Sequence, residues 1–96
     1  MNKAQHHIRI EYCPKCKWLP RAAWMAQEIL GTFEEMDVDV TLVKALPGAF
    51  NVICNEKEIY SKKKDGGFPE PMQIKQRIRD IIAPEIPLGH SDTKKA

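Results

Sequence analysis

The chain has 96 residues, of which 43% are hydrophobic, and this length is enough for one domain with one modest core. Its formal net charge of +2 at pH 7 is too small to indicate a nucleic-acid-binding protein. No stretch approaches the ~20 apolar residues that cross a membrane. We therefore expect neither nucleic acid nor a membrane among its partners.

Residues 1–7 lack the apolar stretch of a secretory signal, which predicts a cytoplasmic protein. His6 and His7 then belong to a solvated terminus. The three cysteines form one close pair, Cys13 and Cys16, with Cys54 alone. In a reducing compartment such a pair is more often catalytic, redox-sensing or metal-binding than structural.

The first two elements flank this cysteine pair. Residues 8–12 alternate between apolar and charged side chains and predict a strand, which Cys13-Pro14-Lys15-Cys16 follows directly. Residues 17–35 have helical periodicity, and Pro20 is compatible with a first helical turn. We expect Trp24 to pack against the core. The predicted apolar stripe of this helix consists of Leu19, Ala22, Ala23, Ala26, Ile29, Leu30 and Phe33.

The second half predicts three strands and another helix. Residues 37–44 alternate as a strand, and Pro47-Gly48 marks a turn. Residues 50–54 and 58–61 predict a hairpin joined by a polar connection. Residues 62–67 read as a loop. A helix then begins within residues 69–71, where proline is favoured, and ends before Pro84.

The order of elements predicts an α/β fold. The first strand, helix and second strand form a βαβ unit with parallel strands and a right-handed crossover. Adding the hairpin and the last helix gives β-α-β-β-β-α, a four-stranded mixed sheet with two helices, which is the thioredoxin-like arrangement. We expect residues 1–84 to form this redox domain and residues 85–96, including His90, to form a flexible tail.

A Cys-x-x-Cys pair between a strand and a helix is typical of thiol–disulfide redox sites. A cysteine near a helix N-terminus can have its pKa lowered from ~8.5 to about 3.5–7.5, and Lys15 and Lys17 add positive charge. From this position we expect Cys13 to be the more exposed, attacking thiol. Cys16, one turn inside the helix, is the expected resolving thiol. Neither a resident cofactor nor a metal is required.

Two other kinds of site fit the motif. A zinc half-site needs two further ligands, but Cys54 shares its strand face with Phe50 and Val52, and the histidines lie near the chain ends. A redox-sensitive interaction module would use Trp18, two residues past Cys16, as part of a docking surface. Both an oxidoreductase that turns over and a sensor that does not are compatible with the pair.

Three further features have two interpretations each. Cys54 is either a small buried hydrophobic residue or an off-pathway disulfide partner. Lys62-Lys63-Lys64 is either a solvated loop or the binding site for an anionic partner such as glutathione. Phe68, after Gly66-Gly67, either fills the core from a plain turn or belongs to a loop at the edge of the cysteine site; the plain turn is the simpler prediction.

Three segments resemble the selenoprotein W-like (Rdx) family, also grouped as selenoproteins T, W and H. They are Tyr12-Cys13-Pro14-Lys15-Cys16, the strand Gly48-Ala49-Phe50-Asn51-Val52 and the run of residues 59–69. Leu88-Gly89-His90-Ser91-Asp92 is similar to the tail of bacterial members. The resemblance covers residues 7 to 92.

This resemblance implies a thioredoxin-like fold and a thiol redox role, often linked to glutathione as reductant, with protein thiols or disulfides as partners. In members that contain selenocysteine, selenium occupies the second position of the motif, which is Cys16 here. The family therefore implies that Cys16 reacts first, whereas the helix dipole favours Cys13. Thioredoxins also place a cis-proline opposite the cysteines, and Pro47 is the candidate by position.

Overall fold

The computed structural model describes residues 4–88. The order β-α-β-β-β-α is confirmed, with one additional short helix before the last. The elements are β1 (His6–Tyr12), α1 (Leu19–Thr32), β2 (Val38–Lys44), β3 (Phe50–Cys54), β4 (Lys57–Ser61), α2 (Lys62–Asp65) and α3 (Pro71–Ile82).

The four strands form one mixed sheet in the order β2-β1-β3-β4. The central strand β1 pairs in parallel with β2 and antiparallel with β3, with Ile10 opposite Leu42 on one side and Val52 on the other. The hairpin between β3 and β4 turns through Asn55 and Glu56, both at positive φ. Two residues at positive φ match the right-handed twist of the flanking strands, so this connection is tighter than the three-residue one predicted.

The core lies on one face of the sheet. Alternation along β1 buries Ile8, Ile10 and Tyr12, and α1 and α3 both pack over that face. The opposite face carries the intervening polar residues of β1, such as Arg9 and Glu11. The buried core comprises Ile8, Ile10, Tyr12, Ala22, Met25, Ile29, Phe33, Phe50, Val52, Cys54, Tyr60, Ile74 and Ile78.

Helix α1 is shorter than predicted and turns a different face to the core. It buries Ala22, Met25 and Ile29, which recur at three- and four-residue spacing. Trp24 lies on the opposite side of the helix and is 44% exposed, so the prediction that it packs in the core is wrong. The expected stripe also included Leu19 and Leu30, which are exposed because the true stripe is centred on Met25 instead.

The segment predicted as a loop at residues 62–67 contains the one-turn helix α2. Its N-cap is Ser61, whose hydroxyl accepts a hydrogen bond from the Lys64 N–H at 3.4 Å. The Asp65 carboxylate in turn accepts from the Ser61 N–H at 2.9 Å. This reciprocal pattern satisfies backbone donors that a loop would leave to water, and that is why the lysine run is helical.

Helix α3 begins with Pro71 after a capping box between Glu70 and Gln73. Lys75 is buried at its centre and donates to the Glu28 carboxylate of α1 at 3.0 Å, which ties the two helices together. Beyond α3, the Ile86 carbonyl accepts from Arg79, and Leu88 packs against the core. The remainder of the predicted tail, including His90, lies outside the described residues.

Cys54 is a core residue of β3, and the prediction that it is a small buried hydrophobic residue is confirmed. It pairs with Ile8 near the beginning of β1, whereas Cys13 follows the other end of that strand. The off-pathway partnership with the cysteine pair therefore has no support in the folded protein. Burial raises the pKa of the Cys54 thiol from 9.0 to about 11.

We expect Ile78→Ala to lower the free energy of unfolding by about 2–5 kcal/mol, because it opens a cavity between α3 and the sheet. Ile78 is completely buried. Leu46→Ala is the matched control, since Leu46 is 78% exposed, and should change stability by no more than about 0.5 kcal/mol. Urea unfolding followed by circular dichroism measures both. Equal losses in the two variants would contradict the position of the core.

The raised pKa of Cys54 predicts a stability that falls at alkaline pH. Between pH 9 and about pH 11 the unfolded chain loses the thiol proton while the folded chain keeps it, so folding weakens as pH rises through this window. Urea unfolding at the two ends of the window should show this fall in Cys13→Ser/Cys16→Ser, where Cys54 is the only thiol. The control carries Cys54→Ala in addition to these two substitutions, and its free energy of unfolding should fall less over the same pH window. Identical pH dependence in the two proteins would contradict the assignment.

Candidate redox site

The cysteine pair lies in a turn between β1 and α1. The Cys13 N–H donates to the Ala49 carbonyl at 2.9 Å, so the pairing between the central strand and its neighbour continues one residue beyond Tyr12. The Lys17 N–H then bonds to the Pro14 carbonyl at 3.1 Å and closes the turn. Within it Cys13 and Cys16 form a disulfide with Cα atoms 5.4 Å apart.

Helix α1 starts three residues after Cys16, so the prediction that Cys16 lies one turn inside the helix is wrong. Pro20 has no N–H to donate to the Cys16 carbonyl, and Lys17 has a left-handed φ of 64°. Both features stop the helix from extending backwards. Its first hydrogen bond runs from the Ala22 N–H to the Trp18 carbonyl.

The two sulfurs have different surroundings. Cys13 is completely buried, whereas Cys16 is half-buried. The expectation that Cys13 is the more exposed thiol is therefore wrong. The Cys16 N–H donates to Cys13 Sγ at 3.1 Å, an interaction that favours negative charge on the Cys13 sulfur when the disulfide is open.

The turn at residues 45–49 lies beside the pair. Hydrogen bonds hold both of its ends. The Ala45 N–H donates to the Tyr12 carbonyl at 2.8 Å, and the Ala49 carbonyl accepts from the Cys13 N–H. Gly48 supplies the positive φ of 83° that the turn requires. The Pro47 peptide bond is trans, as are all peptide bonds among residues 4–88. The backbone opposite the cysteines is thus built by a glycine turn and not by a cis-proline.

Three aromatic rings form a cluster next to Cys16. Trp18 stands edge-on to Phe68 with ring centroids 4.8 Å apart, and Phe68 is edge-on to Phe50 at 5.3 Å. Phe50 belongs to the core, while Trp18 and Phe68 are half-buried. Phe68 therefore both packs against the core and brings its loop to the surface beside Trp18, which combines the two alternatives considered for it.

Two cations cover this aromatic cluster. The Arg21 guanidinium lies 3.9 Å from the centroid of Phe68. Lys62 Nζ lies 5.3 Å from the rings of both Trp18 and Phe68. The lysine run is accordingly divided in its contacts, since Lys64 pairs with Glu58 at 3.4 Å and Lys62 turns to the aromatic rings.

Tyr60 holds the loop that carries Phe68. Its buried hydroxyl donates to the Gly67 carbonyl at 2.7 Å and lies 3.2 Å from that of Gly66. Burial raises the pKa of Tyr60, the Asp65 carboxylate raises it further, and Arg77 opposes the shift. Sequence reasoning missed this role. The available signal was the Gly66-Gly67 pair, whose φ values of 81° and 74° admit glycine readily.

The histidines do not join the site. His6 and His7 are the first two residues of β1, at the end of the sheet opposite Cys13, so the prediction that they belong to a terminus before the first strand is wrong, although His7 is exposed to solvent as expected. His7 Nδ1 lies 3.0 Å from the Asp39 carboxylate. Residues 4–88 contain no group of three or more His, Cys, Asp or Glu side chains arranged to hold a metal ion. Within that range no helix has the length and apolar character needed to cross a membrane.

Solved structures of bacterial proteins share this architecture. A selenoprotein W-related protein from Vibrio cholerae superposes with a TM-score of 0.76 at 44% identity, covering 82% of this chain and 96% of that one. A protein from Bordetella parapertussis gives a TM-score of 0.75 at 47% identity, covering 78% and 95%. The predicted thioredoxin-like fold is confirmed.

A more distant relative is migration and invasion enhancer 1 of Mus musculus, which is 27% identical over 73 residues. The match takes in 76% of this chain and 62% of the mouse protein, so the chain spans less than two thirds of that relative's length. The family model of the Rdx family matches residues 7–80, which include both cysteines of the pair, β1 to β4 and most of α3. The chain belongs to the Rdx family.

Proposed function

We propose that this protein is a thiol–disulfide redox protein in which Cys13 and Cys16 cycle between dithiol and disulfide. The observation that carries the proposal is the disulfide in the β1–α1 turn, in which Cys13 is buried and Cys16 is partly exposed. A structural disulfide needs no accessible sulfur, whereas exchange with another molecule does. Membership of the Rdx family supports the same chemistry.

The asymmetry of the pair suggests an order of events. We propose that the Cys16 thiolate attacks a substrate disulfide, because Cys16 is the more exposed residue of the pair. The substrate sulfur that is released leaves as a thiolate. Cys13 then attacks Cys16 Sγ, which frees the second substrate sulfur and closes the Cys13–Cys16 disulfide. Two electrons pass from the protein to the substrate.

The return step needs an external thiol, for which glutathione is our candidate. Its thiolate would attack Cys16, and Cys13 would leave as a thiolate stabilised by the Cys16 N–H at 3.1 Å. Because a better leaving group departs faster, this hydrogen bond assists reduction. Protein thiols or disulfides are the proposed partners. We propose a cytoplasmic location, where Cys54 stays a free thiol and small thiols are abundant.

A second candidate is a redox-sensitive interaction module with little turnover. It is favoured by the position of Trp18, two residues after Cys16 and in edge-on contact with Phe68. Opening the disulfide would then change the surface that a partner recognises. Multiple-turnover assays separate the two candidates, since a module would exchange disulfides once and release no further product. No cluster among residues 4–88 supports the third alternative, a zinc-binding domain.

Equilibration of the protein across glutathione redox buffers, followed by alkylation and mass spectrometry, tests the redox couple. We expect the loss of two hydrogens localised to Cys13 and Cys16, with a midpoint between roughly −320 and −220 mV. Cys54→Ala should behave like the parent, because Cys54 is buried away from the pair. Cys13→Ser and Cys16→Ser should lose the transition. A pair that stays reduced throughout this range would contradict the proposed function.

Trapping of mixed disulfides tests which thiol attacks. Cys13→Ser should form a stable mixed disulfide on Cys16 when mixed with glutathione disulfide. In Cys16→Ser the remaining Cys13 should react on the order of tenfold more slowly, because it is buried. The rates come from quenched reactions analysed by mass spectrometry. Equal or faster reaction at Cys13 would reverse the proposed order of attack.

A further inference from the structure

The charged side chains are distributed unevenly between the two ends of the sheet. Several charged residues are paired with one another: Arg9 with Glu11, Glu58 with Lys64, Glu28 with Lys75, Asp65 with Arg77 and Asp80 with Arg79. The opposite charges in each pair largely cancel each other's electric field at a distance. The net field outside the protein therefore depends on the charges left without a counter-charge.

Uncompensated cations collect at the cysteine end. Lys15, Lys17, Arg21 and Lys62 surround the turn, and in the described part of the chain none of them lies within ion-pair distance of a carboxylate. The first turn of α1 contains no acidic residue either. Its free N–H groups add partial positive charge at the same place.

Uncompensated carboxylates collect at the other end. Glu34, Glu35 and Asp37 lie between α1 and β2, and Glu56 lies in the hairpin turn, all of them exposed. These segments adjoin the first residues of β1, since the Asp37 carbonyl accepts from the His6 N–H. Apart from Glu70 near the cysteine end and Lys57 at the other, the unpaired charges are thus mainly positive at the end where the disulfide lies and mainly negative at the end that faces away from it.

A groove lies on the outer side of the first turns of α1, beginning at Lys17, the residue after Cys16. It has a volume of ≈ 370 Å³ and is lined by Lys17, Trp18, Pro20, Arg21 and Trp24. Trp24 is one of the apolar residues of α1 that the fold leaves exposed, and it lies about 7.5 Å along the helix axis from Leu19. The rings of Trp18 and Trp24, flanked by two cations without a carboxylate partner, Lys17 and Arg21, offer one ligand both apolar and charged contacts.

We propose that this groove binds an acidic polypeptide segment next to the substrate cysteine, so that the protein selects disulfides flanked by Asp or Glu and an apolar residue. This inference rests on the proposed redox function. A carboxylate would lie near Lys17 and Arg21, and an apolar side chain would cover Trp24. An extended chain fits this arrangement because it can place its disulfide at Cys16 while its flanking residues contact Lys17, Arg21 and Trp24 of the groove.

The chemical step is the thiol–disulfide exchange described under Proposed function, in which the reduced protein donates two electrons to the substrate. Cys16 thiolate displaces one substrate sulfur as a thiolate, and Cys13 displaces the other, so one disulfide forms in the protein and one opens in the substrate. A single turnover of reduced protein needs no further reductant. The acidic flank changes the rate at which the substrate reaches Cys16 and leaves the electron balance unchanged.

The experiment compares three synthetic peptides whose single cysteine is in a mixed disulfide with 2-mercaptoethanol. They differ only in the flank, which holds Glu-Glu-Leu, Gln-Gln-Leu or Lys-Lys-Leu. At low salt we expect the acidic peptide to react with reduced protein about tenfold faster than the neutral one, and the basic peptide to react slowest. Near 0.5 M salt, where the screening length is only about 4–5 Å, the three rates should converge.

Variants localise the effect. Lys17→Gln/Arg21→Gln should bring the ratio of acidic to neutral rates close to one at low salt. Lys57→Gln is the matched control for loss of a positive charge, since Lys57 begins β4 at the end of the sheet opposite the cysteines. It should preserve the ratio. Equal rates for the three peptides with the parent protein, or an equal fall of the ratio in Lys57→Gln, would overturn the inference.

Two small disulfides separate the remaining outcomes. Bis(2-hydroxyethyl) disulfide is neutral. If neither this compound nor any of the three peptides oxidises the parent protein, the proposed function itself is wrong. If it reacts while the peptides show no dependence on charge, only the inference about the groove fails. Glutathione disulfide carries its own carboxylates. If it reacts as fast as the acidic peptide, and with the same dependence on Lys17 and Arg21, the polypeptide assignment is wrong.

Discussion

The burial of Ile8, Ile10 and Tyr12 on one face of β1 is the constraint on which the rest of the structure depends. A shift of one residue would expose all three and bury charged neighbours, so the register with β2 and β3 is strongly determined. The same register fixes the site. Cys13 directly follows Tyr12, and its N–H finds the Ala49 carbonyl because Tyr12 lies opposite Phe50.

Most of the fold could be predicted because its signals are local and periodic. The alternation in β1 and β3, and the prolines around α3, are enough to place those elements. Errors arose where two local rules compete. In α1 several apolar stripes of similar quality are available, and only packing against the sheet decides that Met25 is inside and Trp24 outside. In α2 the cap from Ser61 and Asp65 outweighs the turn signal of Gly66-Gly67.

The site could be predicted in its residues but less well in its geometry. Spacing alone identifies Cys13 and Cys16 as a pair. Their relative exposure depends on tertiary contacts, since the bond from Cys13 to Ala49 joins residues far apart in the chain. The contact of Phe68 with Trp18 likewise depends on the Tyr60 hydroxyl, which donates a hydrogen bond to the Gly67 carbonyl in the loop that carries Phe68. No periodic pattern encodes such contacts.

The missing N–H of Pro20 has a mechanical consequence for redox cycling. Helix α1 begins its hydrogen-bond ladder at the Trp18 carbonyl, so no helical bond involves either cysteine. The turn and the helix are therefore separate structural units joined by Lys17. We expect opening of the disulfide to change the backbone mainly within these four turn residues, because no helical hydrogen bond connects them to the segment that packs Met25 and Ile29 against the sheet. Redox cycling at the turn is then compatible with an unchanged core, since the backbone hydrogen bonds of α1 involve neither cysteine.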